Sequence, residues 1–177
     1  LVVTRKGHIM AHPTFSSTLG MVVNFLRSIP FIIMLAIMFP VTRAIMGSAI
    51  GTTAVIFPLV ISAFPYIARM VESSLEEVDQ GILEAAQSMG STNGQIIFKV
   101  LLPEALPSLI NGAAISMTTI LAYTALASAA GGGGLGSIAI IKGLNIRKFD
   151  VMYSASLLLV ALVQLITVFG TRLTRGL

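Results

Sequence analysis

The fold of this chain is decided around residues 84–103, which read EAAQSMGSTNGQIIFKVLLP. This stretch is a polar island, and a long apolar stretch lies on each side of it. A helix needs roughly 20 predominantly apolar residues to cross a bilayer. The sequence therefore predicts that membrane helices flank the island and that the island itself lies outside the membrane.

Charge is scarce across the whole chain. Of its 177 residues, 55% are hydrophobic and 10% are charged, whereas about one quarter of the residues in a soluble domain carry charge. Four runs contain no Asp, Glu, Lys or Arg: 28–42, 44–68, 105–141 and 151–171. The first run is short, but Arg27 and Arg43 at its ends can snorkel to the interfaces.

These runs predict an all-α fold, a polytopic transmembrane helical bundle that forms one domain over residues 1–177. We expect four spanning helices, at about 24–44, 50–71, 105–129 and 150–172, and a cytoplasmic loop at about 72–104. The chain does not begin with Met, and its apolar first residues lead directly into Arg5 and Lys6. We expect this opening to be the end of a further helix, which makes five in the full-length protein.

Positive charge predicts the orientation. With the island in the cytoplasm, seven cations are cytoplasmic (Arg5, Lys6, Arg27, Arg69, Lys99, Arg172, Arg175) and four are outside (Arg43, Lys142, Arg147, Lys148). An excess of cations in cytoplasmic loops is the rule for membrane proteins. The net charge of +4 follows from this bias and from anionic headgroups, and it does not indicate nucleic-acid binding because no basic run is present.

Residues able to do chemistry are few. The chain has no Cys, and its two His residues, His8 and His12, stand beside Pro13, which favours a solvated loop over a metal site. The charge-free runs lack the ionisable groups of proton-driven carriers and intramembrane proteases. Residues 131–136 match GxGxxG, but a spanning helix precedes them where a nucleotide site needs a strand. We expect a flexible extracytoplasmic connection there.

The island itself predicts two short helices. Residues 82–89 place Ile82, Leu83, Ala86 and Met89 on one apolar face, and Gly90 is suited to end that helix. Residues 91–93 offer N-cap oxygens for a second helix, and Pro103 and Pro107 indicate where the chain turns back into the membrane. Small Ala85 and Ala86 would let another surface approach, and Glu84 would anchor it. A plain amphipathic connector on the membrane surface is the alternative.

The island resembles the EAA loop of ABC importer permeases, in which Glu-Ala-Ala, three residues, Gly, nine residues and Ile-x-Leu-Pro follow one another. Every spacing holds from Glu84 to Pro103, and Val100 replaces the isoleucine. The resemblance implies that the loop couples to an ATPase through seven positions: Glu84, Ala85, Ala86, Met89, Gly90, Leu102 and Pro103.

Stretches 25–32, 65–72, 99–111 and 133–136 extend the resemblance to the methionine-uptake permeases of that family. It implies a homodimer in the bacterial inner membrane with one path between the subunits. It also implies two ATPase subunits, which hold ATP and Mg, and an extracytoplasmic substrate-binding lipoprotein. The chain itself would be neither catalytic nor a cofactor binder.

Path residues are less determined. The polar or soft side chains of the third spanning helix are candidates: Asn111, Ser116, Met117, Thr119 and Tyr123. Hydroxyls on a helix often bond their own backbone instead. A permease of the same family for another small solute, and a channel-like or structural membrane subunit, are the alternative functions.

Overall fold

The computed structural model describes residues 13–174, and its regular elements are helices throughout that range. The α-helices are α1 (Pro13–Arg27), α2 (Phe31–Met46), α3 (Thr52–Glu76), α4 (Gln80–Ser88), α5 (Asn93–Ile96), α6 (Leu102–Leu126), α7 (Leu135–Ser137) and α8 (Phe149–Thr174). Two π-helical segments, Ile97–Leu101 and Ile138–Asn145, and a 3₁₀ turn, Ala127–Ala130, join them. The predictions for Arg5, Lys6, His8, His12 and Arg175 lie outside the described residues.

Three of the described helices are long and apolar enough to cross a membrane: Thr52–Glu76, Asn93–Ala130 and Phe149–Thr174. They are the elements expected at 50–71, 105–129 and 150–172. The helix α6 lies between α3 and α8 and packs on both. Small residues permit this close approach, since a Cβ added at Gly170 of α8 would meet Ala114 of α6 at 2.7 Å. The prediction of an all-α membrane bundle is confirmed.

The first span differs from the prediction of one helix over 24–44. Its two halves, Ser16–Arg27 and Phe31–Met46, are bent by 101°, so no single straight helix covers residues 24–44. Pro30 causes the break because it has no N–H and forces the backbone before it out of the helical region. Pro30 itself is extended, with ψ at 140°.

The glycine-rich stretch at 131–136 is a packed segment, and the expectation of a flexible connection is wrong. The Gly51 N–H donates to the Ala130 carbonyl at 3.0 Å, which ties the α2–α3 turn to this stretch. A Cβ on Gly136 would lie 2.5 Å from the Cα of Ala125, in backbone that cannot yield. Glycine here allows two backbones to touch.

Pro103 also behaves differently from the prediction, because the chain does not turn there. Asn93–Ala130 is one continuous helical rod. Just before Pro103 the rod widens into the π-helical Ile97–Leu101, where the Leu102 N–H donates to the Ile97 carbonyl. A π-helical turn is one way for a helix to change its hydrogen-bond register without breaking.

A candidate coupling surface and transport path

The short helix α4 has defined ends. The Asp79 carboxylate accepts the Gly81 N–H at 2.7 Å and caps the first turn, as short acidic side chains do at an N-cap. At the other end, Gly90 has φ of 77° and its N–H donates to the Gln87 carbonyl at 2.9 Å. The prediction that Gly90 ends this helix in the left-handed region is confirmed.

A capping box starts the next helix. The Thr92 hydroxyl accepts the Gln95 N–H at 3.4 Å, and the Gln95 side chain accepts the Thr92 N–H at 2.9 Å. Two backbone donors that the helix leaves free are thereby satisfied. The prediction that residues 91–93 supply the N-cap is confirmed, with Thr92 as the residue that does so.

Burial separates the residues implied by the EAA resemblance into two groups. Glu84, Ala85, Gly90 and Met89 are exposed, Met89 to 79%. Ala86 is only 4% exposed. It faces the chain's own interior, so the expectation that Ala86 makes room for an outside surface is wrong.

The other members of the set lie elsewhere on this segment. At its far end Leu102 is half-buried and Pro103 exposed. The predicted apolar face of α4 divides in the same way, because Leu83 packs inward whereas Ile82 is 41% exposed. The exposed side of α4 therefore presents one carboxylate, one alanine and a flexible thioether.

An apolar cluster packs α4 and the π-helical segment Ile97–Leu101 against the ends of α3 and α6 nearest the island. Val78, Leu101 and Ala105 are its buried centre, and Leu75, Leu83 and Leu109 pack around them. Beside it the Ser108 hydroxyl of α6 donates to Glu77, just past the end of α3, at 2.6 Å. The island is thus packed on the ends of α3 and α6.

A polar network at the same level joins α1 to α3. The Arg69 guanidinium forms an ion pair with Glu72, one turn further along α3. It also donates to the Asn24 side-chain oxygen at 2.7 and 3.1 Å and to the Gly20 carbonyl at 3.4 Å. Sequence reasoning placed Arg69 in the cytoplasm but missed this network, because Asn24 and Arg69 stand 45 residues apart.

An open cavity of about 870 Å³ lies between α3 and α6 at the ends nearest the island. Charged side chains of both signs line it: Arg27, Arg69, Glu77, Asp79 and Glu104. Of the predicted path residues, Asn111 lies at this cavity. A second groove of about 760 Å³, between α6 and α8, is almost wholly apolar and contains Met117.

The structure therefore does not bring the five predicted path residues together. Ser116 is buried and donates to the Gly112 carbonyl at 2.8 Å. Thr119 donates to the Ile115 carbonyl at 3.0 Å and lies 3.4 Å from the Tyr66 hydroxyl. These hydroxyls bond their own helix, which is the alternative that the sequence left open.

Tyr123 stacks on Phe31 of α2, with ring centroids 4.9 Å apart and planes within 4° of parallel. The ring thereby contributes to packing between α2 and α6 at the end of α6 away from the island. Among residues 13–174 no three His, Cys, Asp or Glu side chains are grouped as metal ligands would be.

Comparison with known proteins gives one family. Residues 6–177 match the family model described as "Binding-protein-dependent transport system inner membrane component". The chain is 46% identical over 172 residues to the "Probable D-methionine transport system permease protein MetI" of Vibrio cholerae, covering 97% of this chain and 76% of that one. It is 38% identical over 174 residues to the "Methionine import system permease protein MetP" of Bacillus subtilis, covering 98% and 78%.

A solved structure has the same fold. It is described as inward-facing conformations of the MetNI methionine ABC transporter and superposes with a TM-score of 0.93 at 47% identity. The match covers 99% of this chain and 81% of that one. This chain therefore shares its fold with a chain of that transporter.

Proposed function

Since the chain belongs to the family of binding-protein-dependent transport system inner membrane components, we propose that it is the permease subunit of an ATP-driven importer of methionine. It is a multi-pass membrane protein. The relatives in Vibrio cholerae and Bacillus subtilis both carry methionine in their names, which supports the same solute here. Two copies of the chain would enclose one path, and the apolar groove between α6 and α8 is an exposed surface of the kind that a second copy or lipid covers.

Coupling runs through α4. Its exposed side carries Glu84, Ala85, Met89 and Gly90, and its inner side is packed through Leu83 and Ala86. This division of one short helix into a packed side and a free side supports the docking role most directly. An ATPase subunit would receive the free side in a cleft on its surface.

The mechanism follows from that attachment. ATP binding closes the two ATPase subunits, and the docked α4 helices move with them. Because α4 is packed on the ends of α3 and α6, the spanning helices move too, and the path alternates between outward and inward access. This is a rigid-body switch biased by a partner's ligand. The chain performs no covalent step itself.

A substitution at Gly90 tests the coupling. Gly90→Pro removes the N–H that bonds Gln87 and forbids the φ of 77°. In liposomes holding the whole transporter, we expect ATP hydrolysis to persist while methionine uptake falls at least tenfold. Gly94→Ala is the matched control, since an added Cβ there meets nothing within 4 Å. Normal uptake by Gly90→Pro would contradict the coupling role.

Docking has a separate test, made simple by the absence of Cys from the chain. Met89→Cys should cross-link to the ATPase subunit through a short heterobifunctional reagent that joins its thiol to a surface amine of the ATPase. Lys148→Cys, on the opposite side of the membrane, should not. Purification without any ATPase would favour the channel-like or structural alternative.

The solute is tested by competition. Unlabelled D- and L-methionine should each be compared with other amino acids as competitors of labelled methionine uptake. Inhibition by an unrelated amino acid but not by methionine would assign the protein to another solute and leave the coupling role intact.

A further inference from the structure

The helix α1 exposes large apolar side chains on the side turned away from the rest of the chain. Its inner side carries Val23, 3% exposed, together with Gly20 and Asn24, which bond Arg69. The opposite side carries Met21, 70% exposed, and Phe25, 68% exposed, with Val22 beside them at 49%. A surface helix in water normally packs its apolar side inward, so the medium around the outer side of α1 is apolar.

The depth of α1 is fixed by Arg69. That residue ends the charge-free run of α3, at the cytoplasmic end of the span. Its guanidinium bonds Asn24 and Gly20, so α1 lies at the level where α3 leaves the hydrocarbon.

The direction of α1 is fixed by the bend. It makes an angle of 101° with α2, so when α2 runs along the membrane normal, α1 lies close to the membrane plane. Three residues separate α1 from α2, and the exposed Ile32 and Ile33 of α2 continue the apolar surface from α1 into the span.

From this depth, direction and exposed apolar side, we propose that α1 lies flat in the cytoplasmic headgroup region and binds lipid. Its apolar side, defined by Met21, Val22 and Phe25, enters the acyl boundary. Arg27, in its last turn, lines the cavity between α3 and α6, where a cation also suits the helix C-terminus. Such helices bury their apolar face about 5–10 Å into the boundary. Arg69 holds α1 to α3, and this lipid contact does not depend on the solute transported.

Spin labels on single cysteines test it, in the full-length permease within its complex in lipid nanodiscs. Thr18 and Phe25 are exposed on one side of α1, and a rise of 1.5 Å per residue separates them by about 10 Å along the axis. For Thr18→Cys and Phe25→Cys we expect high contact with oxygen and low contact with a water-soluble nickel reagent. The membrane depths of the two labels should agree within about 3 Å, which is well below their axial separation because α1 lies flat.

Two controls calibrate the measurement. Ile33→Cys and Val41→Cys, on the spanning α2, should differ in depth by about 12 Å. Lys148→Cys, at an exposed position just before α8, should be open to the nickel reagent. Unequal depths for residues 18 and 25 would show that α1 crosses the membrane. Access of the nickel reagent to both labels would place α1 in water. Spin–spin broadening, or exclusion of both reagents, would show that protein covers α1. Each of these outcomes overturns the assignment to lipid.

Discussion

Removal of the Arg69 guanidinium is expected to destabilise the protein through the carboxylate that it leaves behind. The Glu72 side chain is 8% exposed, whereas that of Arg69 is 25% exposed. Arg69→Met keeps the apolar stem of the side chain and deletes the charge. The hydrogen bonds to Asn24 and Gly20 are lost with it.

The magnitude lies between two limits. Breaking a buried ion pair from one side costs about 3–5 kcal/mol, and an exposed pair contributes about 0–1 kcal/mol. Because Glu72 is buried and Arg69 is partly open to solvent, we expect a loss of about 2–3 kcal/mol. For a chain of this size each kcal/mol lowers the melting temperature by roughly 2–4 °C, which gives a decrease of about 4–12 °C.

This loss of stability is measured by heating the detergent-solubilised complex and following the folded fraction by fluorescence-detected gel filtration. The double variant Arg69→Met/Glu72→Gln removes the unpaired charge, so it should regain at least half of the stability that Arg69→Met loses. Arg172→Met, at an exposed arginine of α8, should change stability by less than about 0.5 kcal/mol. An unchanged Arg69→Met melting temperature, or a double variant weaker than the single one, would refute the reasoning.

Three further changes test packing, all by the same thermal assay. Leu101→Ala should cost about 2–5 kcal/mol because the side chain is 2% exposed in the cluster under α4, and Phe98→Ala, at a side chain 71% exposed, should cost far less. Gly136→Ala should destabilise because its Cβ meets backbone at 2.5 Å, whereas Gly94→Ala meets nothing. Tyr123→Leu should lower the stability by about 0.5–1.5 kcal/mol because the ring stack is lost, whereas Tyr123→Phe should keep the stack. For each of the three pairs, equal melting temperatures of the two variants would contradict the packing assigned to that site.

Local rules were sufficient for the ends of the short helices. Gly90 and Thr92 could be assigned from sequence because a left-handed turn and an N-cap depend on only three or four neighbouring residues. The spans could be assigned because the bilayer requires long charge-free runs. The resemblance of residues 84–103 to the EAA loop supplied the coupling role, which no local rule gives.

The same local rules could not predict contacts between residues that are far apart in the sequence. The small size of Ala86 suggested that an outside surface approaches it, but residue size could not show that the chain itself folds back over Ala86. Arg69 and Asn24 meet only because α1 bends away from α2, and Gly136 is packed only because α6 lies beside it. Each of these depends on the relative position of two elements, which one sequence does not determine.

The attachment of the island explains how transport can be driven without ionisable groups in the charge-free runs. The rods Thr52–Glu76 and Asn93–Ala130 run unbroken from the membrane to the island. A loose loop would absorb a push on α4, but here Leu101 and its cluster, together with the Ser108–Glu77 hydrogen bond, resist bending between the rods. Packed interfaces shift between discrete arrangements and do not deform continuously. Under the proposed coupling role, force applied at α4 would therefore move α3 and α6 together, and α6 would carry it to α8, on which it packs.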